Sequence, residues 1–125
     1  MKMQDCLTYF YVGYGDNFDM QDFCDCLNLS LDQINDNAKN RAFRVGSNRE
    51  YDVNLNVMLR KTLKPLLGKE NKLIALARKY GLTYSLVRVV YLKADEINPI
   101  LSLESDIIEF MCITQSEDDL DYYVE

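Results

Sequence analysis

The stretch Tyr84-Ser85-Leu86-Val87-Arg88-Val89-Val90-Tyr91-Leu92 decides the fold class. Five of its nine residues are β-branched or aromatic, and only Ser85 and Arg88 interrupt an apolar character that extends over both faces. A run this short, without helical period, is a strand. Apolar on both faces, it belongs inside a sheet rather than at its edge.

Toward the N-terminus, Leu7-Thr-Tyr-Phe-Tyr-Val-Gly-Tyr14 reads as a second strand and is followed by turn residues at Gly13 and Gly15-Asp16-Asn17. Asp19 is placed to cap a helix over about 19–28, whose buried stripe is Met20, Phe23, Cys24 and Leu27. Ser30 with Gln33 resembles a capping box for one short turn. Polar residues 35–48 read as loop with a short strand at Ala42–Val45. A strand around 50–54 then runs into a helix over about 57–67 that ends at Gly68.

A third helix, about 70–80, buries Leu73, Ile74, Leu76, Ala77 and Tyr80 and stops at Gly81. Beyond the central strand, Asn98-Pro99 supplies a turn. Ser102 is placed to cap a last helix over about 103–114, facing the core with Leu103, Ile107, Phe110 and Met111. Leu120, Tyr122 and Val124 alternate with polar neighbours in a closing strand. No linker or repeat divides the chain, so residues 1–125 are expected to form a single domain. The element order predicts an α+β fold with a mostly antiparallel sheet of four to five strands and helices packed on it. The leading topology is a ferredoxin-like βαββαβ core with a C-terminal αβ addition.

The chain's 125 residues include no histidine and no tryptophan, which removes the commonest general base, every His-containing triad and every His metal site. The net charge of −6 is unevenly distributed: −6 over residues 1–36, +10 over 37–93 and −10 over 94–125. The blocks either neutralise one another across the domain or present a dipolar surface to a charged partner. Cys24-x-Cys26 has the wrong spacing for zinc, and Cys24 falls on the buried stripe of the first helix. Glu117-Asp118-Asp119-x-Asp121 lacks the glycine and ligand spacing of a calcium loop. There is no nucleophile elbow and no phosphate-binding glycine loop. No catalytic, cofactor-binding or metal-ligating residue is therefore assigned, and no cofactor is expected.

The opening residues lack a signal peptide's apolar core, no run approaches the length of a membrane helix, and the four cysteines do not form a disulfide framework. The expected setting is cytoplasmic and reducing. A basic segment over 41–79, with Tyr9, Tyr11, Tyr51 and Tyr91 on a sheet, is the pattern an RNA-recognition module would use. Two acidic blocks and the missing RNP motif disfavour it.

The order of these segments resembles an uncharacterised bacterial family known as domain of unknown function 4279. The resemblance spreads over nearly the whole chain. It rests on Tyr9-Phe-Tyr-Val, Asp19-Met-Gln-Asp-Phe23, Leu27-Asn-Leu29, Leu63-Lys-Pro65, Leu101-Ser-Leu-Glu-Ser-Asp-Ile107 and the ending Asp119-Leu-Asp-Tyr-Tyr123. The chain departs from that family at Tyr51, where a tryptophan is usual, and at Ser30-Leu-Asp-Gln-Ile34, which replaces a Pro-Thr and glycine-bearing segment. The resemblance implies a small bacterial cytosolic α+β domain and brings no activity or site residue with it.

The function expected from the sequence is a non-catalytic protein-binding module, by analogy of size and charge with immunity proteins. Its partner is another protein, and the chain itself is a monomer or homodimer. Candidate contact residues are the basic set Arg60, Lys61 and Lys64 and the acidic set Glu117, Asp118, Asp119 and Asp121. The alternatives are an enzyme with a hidden carboxylate or thiol site, and a nucleic-acid-binding module using 41–79.

Overall fold

The computed structural model describes residues 4–92 and 103–124. These form an α+β domain in which four helices pack on a five-stranded sheet of order β2-β3-β1-β4-β5. The strands are β1 (Gln4–Gly13), β2 (Ile34–Asn37), β3 (Ala42–Val53), β4 (Thr83–Leu92) and β5 (Glu117–Val124). The helices are α1 (Met20–Leu27), α2 (Leu55–Leu63), α3 (Glu70–Tyr80) and α4 (Ser105–Thr114). β1 pairs antiparallel with both β3 and β4, and β2 pairs antiparallel with β3. Only β4 and β5 run parallel, joined by the connection that contains α4. As its composition demands, 84–92 is an interior strand, flanked by β1 and β5.

Local chemistry sets the helix ends. The Asp19 carboxylate accepts from the backbone N–H groups of Gln21 at 3.0 Å and Asp22 at 3.2 Å, and Asn54 accepts from the N–H of Val57 at 3.2 Å. α2 stops at Leu63, earlier than its apolar period suggests. Pro65 has no N–H to continue the ladder, and the chain turns through Leu66 and Leu67, which both donate to the Leu63 carbonyl. Gly81, at φ 66°, ends α3 in the left-handed conformation. Ser30 and Gln33 form the expected capping box around a turn of 3-10 helix at Leu31–Gln33.

Two expectations need correction. Residues 35–48 are not a loop, and the two short strands around 42–45 and 50–54 are one. β2 occupies Ile34–Asn37 as an edge strand, while β3 runs unbroken from Ala42 to Val53. The polar stretch Gly46-Ser-Asn-Arg is absorbed by an irregularity in the pairing with β1, between Thr8↔Asn48 and Phe10↔Val45, with Gly46 at φ 70°. The expected turn at Asn98-Pro99 and cap at Ser102 lie outside the described residues. Among those described, the N-cap of α4 is Glu104.

Side-chain alternation divides the sheet into two unlike faces. Phe10, Val12, Phe43, Val45, Tyr84 and Leu86 point to one side and join Phe23, Leu27, Leu59, Leu63, Leu73, Leu76, Ile107 and Phe110 of all four helices in the main core. Phe43 sits among Phe23, Phe18 and Tyr14, with ring centroids at 5.1, 5.6 and 6.0 Å. A smaller cluster of Cys6, Leu55, Met58 and Val90 lies on the same side. Between the two runs a buried polar seam: the Thr8 and Thr62 hydroxyls are 2.6 Å apart, and Arg88, 3% exposed, reaches Asp118 at 2.7 Å.

Candidate functional site: the second face of the sheet

The opposite face carries Asp5, Leu7, Tyr9 and Tyr11 of β1, Arg44, Arg49 and Tyr51 of β3, Ser85, Val87, Val89 and Tyr91 of β4, and Glu117, Asp119, Asp121 and Tyr123 of β5. Among the described residues, no helix packs on it: α1, α2, α3 and α4 all supply side chains to the core on the other side. The aromatic residues are sorted between the faces by polarity. Five of the nine tyrosines lie here, whereas all five phenylalanines pack in or against the main core. A tyrosine can leave its ring on apolar neighbours and its hydroxyl in water, which a phenylalanine cannot.

The arginines lie over these rings. The Arg44 guanidinium is centred 4.0 Å above the Tyr9 ring. That of Arg49 lies 3.6 Å from the Tyr91 ring centroid and 5.0 Å from that of Tyr51, and Tyr91 in turn stacks on Tyr123 at 5.8 Å. Such contacts hold long cationic side chains in one orientation and contribute on the order of 0.5–1 kcal/mol each at exposed sites. Burial pushes the Tyr9 hydroxyl above its ordinary pKa; Arg44 opposes this, and Asp119 and Asp121 push it up further. The face thus has a cationic column on β3, an aromatic and aliphatic centre on β1 and β4 with the Asp5 carboxylate at one end, and an anionic column on β5.

The candidate contact residues are distributed over both sides of the sheet. Glu117, Asp119 and Asp121 belong to this face by strand alternation, whereas Asp118 points to the helical side, where it is tied to Arg88. Arg60, Lys61 and Lys64 are on and just beyond α2, in the helical layer. Arg60 is engaged by Asp106 at 2.7 Å and Glu104 at 3.0 Å, and Lys61 by Glu50 at 2.7 Å, while Lys64 is exposed. The charge blocks neutralise one another at several points. Arg41 pairs with Asp16 and Lys79 with Asp22 of the first block; Arg60 pairs with Glu104 and Asp106, and Arg88 with Asp118, of the last.

Arg44 and Arg49 fall in the basic segment 41–79 that the sequence offers to nucleic acid, but not among its candidate protein-contact residues, and Tyr123 is in neither set. Their common signal is alternation: each falls on the polar phase of its strand, and only strand order makes neighbours of them.

Three groups that an enzyme could use have their titration shifted by their surroundings. Cys6 is fully buried, and burial together with Glu50 and Asp5 pushes its thiol up to about 11, so little thiolate exists near neutrality. Hydrogen bonds from Lys79 and Tyr80 hold the Asp22 carboxyl down at about 2, and Arg60 lowers that of Asp106. Both carboxyls are therefore shifted away from general-acid use. A cleft of about 430 Å³ between β2, β3 and α2, lined by Asp32, Gln33, Asn35, Lys61, Thr62 and Pro65, includes none of Cys6, Asp22 and Asp106; its one carboxylate is Asp32. All four cysteines are free thiols, Cys6 and Cys24 buried, Cys26 and Cys112 exposed. Among the described residues, no helix is long and apolar enough to cross a membrane. No family model, curated protein or solved structure matches the chain.

Proposed function

We propose that the protein is a non-catalytic protein-binding module that docks through the second face of its sheet. One observation carries this reading: five tyrosines and two ring-stacked arginines are gathered on a face that no described helix covers. Tyrosine and arginine are the residue types most enriched where protein interfaces concentrate their binding energy, because both bury a large rigid surface while retaining hydrogen-bonding groups. The scaffold is read as a ferredoxin-like core with a C-terminal αβ addition, supported by the strand order β2-β3-β1-β4 with antiparallel neighbours. The proposed setting is the cytoplasm, which the two exposed free thiols suit.

The Arg–Tyr stacks also favour single-stranded nucleic acid, whose bases stack on such platforms. The β5 carboxylates on the same face oppose phosphate, so protein is the preferred partner. The test is capture from host extract by tagged wild type, by a Tyr9→Ser/Tyr91→Ser variant and by Lys64→Glu as a control on the other side. Wild type and the control are expected to retain one stoichiometric protein that the tyrosine variant loses. Retention by all three overturns the reading. Binding of an oligoribonucleotide, lost in the tyrosine variant, would reassign the face to RNA.

A further inference from the structure

The charged columns of this face are in register. Arg44, Tyr11, Ser85 and Glu117 form one row across four strands, and Arg49, Leu7, Val89 and Asp121 form another. Within the chain, each arginine is three strand spacings, about 14 Å, from the carboxylate in its row. That exceeds the screening length of about 8 Å at physiological salt, so the two columns do little to neutralise each other.

A second copy brings them together. We propose that this face is the interface of a homodimer in which β3 of each copy lies over β5 of its partner. The proposal rests on reading the face as a docking surface, and it names the occupant. A two-fold axis parallel to the strands, between β1 and β4, lays β1 over the partner's β4 and β3 over the partner's β5. It preserves position along the strands, within the roughly 30° offset that sheet twist imposes. Arg44 then faces the partner's Glu117, Arg49 faces the partner's Asp121, and each pair occurs twice. The other in-plane axis, across the strands, would set β3 on β3 and arginine on arginine, which the charge pattern rejects.

The size of the patch sets the strength. Four strands at about 4.8 Å and eight residues at about 3.3 Å give about 500 Å² of sheet plane per copy, or about 1,000 Å² for the pair. This is the lower bound for a specific interface, so the dimer is a micromolar, reversible and salt-sensitive one.

A charge exchange tests it by sedimentation across a concentration range. Wild type is expected to pass from monomer to dimer, and less readily at high salt. Arg44→Glu/Arg49→Glu alone and Glu117→Arg/Asp121→Arg alone should both remain monomeric, since each places like charges opposite one another twice. Mixed in equal amounts, the two should form a heterodimer, because one set of contacts is native and the other is reversed as a pair. Circular dichroism checks each fold; should a double variant fail to fold, Arg44→Glu with Glu117→Arg repeats the exchange on one row. A monomeric wild type overturns the proposal, as do variants that still dimerise or a mixture that does not associate. A wild type that stays monomeric yet captures a different protein through Tyr9 and Tyr91 overturns the second copy as occupant and leaves the docking face standing.

Discussion

Phe43 and Arg44 are consecutive on β3 and point to opposite sides of the sheet, so their substitutions should separate stability from association. Phe43 is fully buried and touches three rings. Truncating a buried phenylalanine costs about 3–5 kcal/mol through lost transfer energy and the cavity left behind. With three aromatic neighbours around it, Phe43→Ala should fall in the middle of that range or above, at about 4 kcal/mol. For a domain of this size that lowers Tm by about 15 °C. Arg44→Glu forfeits one stacking contact with Tyr9 at a half-exposed site, and its loss should stay within about 1 kcal/mol. The assay is urea unfolding followed by far-ultraviolet circular dichroism, since the chain has no tryptophan. It is run at low protein concentration so that association does not add to stability. Sedimentation of the same variants supplies the second axis: Phe43→Ala, while folded, should associate as wild type does, and Arg44→Glu should not. A Phe43→Ala loss below about 2 kcal/mol, or an Arg44→Glu loss equal to it, would refute the division of the sheet into a core face and a docking face.

Other positions give further checks. At Gly46, φ is 70° and an added Cβ would lie 3.0 Å from the Thr62 carbonyl oxygen, whereas at Gly68, φ 83°, it would meet open space. Gly46→Ala should therefore cost about 2 kcal/mol against about 1 for Gly68→Ala, read from urea midpoints. The Asp22 carboxyl is held at about 2 in the folded protein, below its ordinary value of 3.8, so its contribution is present above pH 4 and disappears as pH falls toward 2. Asp22→Asn should flatten the acid limb of a stability–pH curve over that interval; an unchanged limb would show that the Lys79 and Tyr80 contacts do not persist in solution. In native protein, Cys26 and Cys112 should react with a thiol reagent at once, and Cys6 and Cys24 only on unfolding. Rapid reaction at Cys6 would contradict its burial.

What the sequence by itself determined is what depends on near neighbours along the chain. The helical stripe Met20, Phe23, Cys24 and Leu27, the caps at Asp19 and Ser30, the stop at Gly81 and the doubly apolar run 84–92 were all legible, because period and capping are local properties. The expected 57–67 helix ended too late because apolar spacing continues past Pro65 where the backbone ladder cannot. The run 46–48 reads as loop because its polar residues suit a strand only when one face is left to solvent. Tertiary structure decided the rest. Tyr9, Arg44, Tyr91 and Asp121 are scattered over more than a hundred residues, and nothing local says that β3 and β4 flank β1 or that β5 runs parallel to β4. Strand order follows from how four helices cover one side of the sheet together, a non-local balance of buried area. Only that order turns separate alternating runs into a face with cations along one column and carboxylates along another.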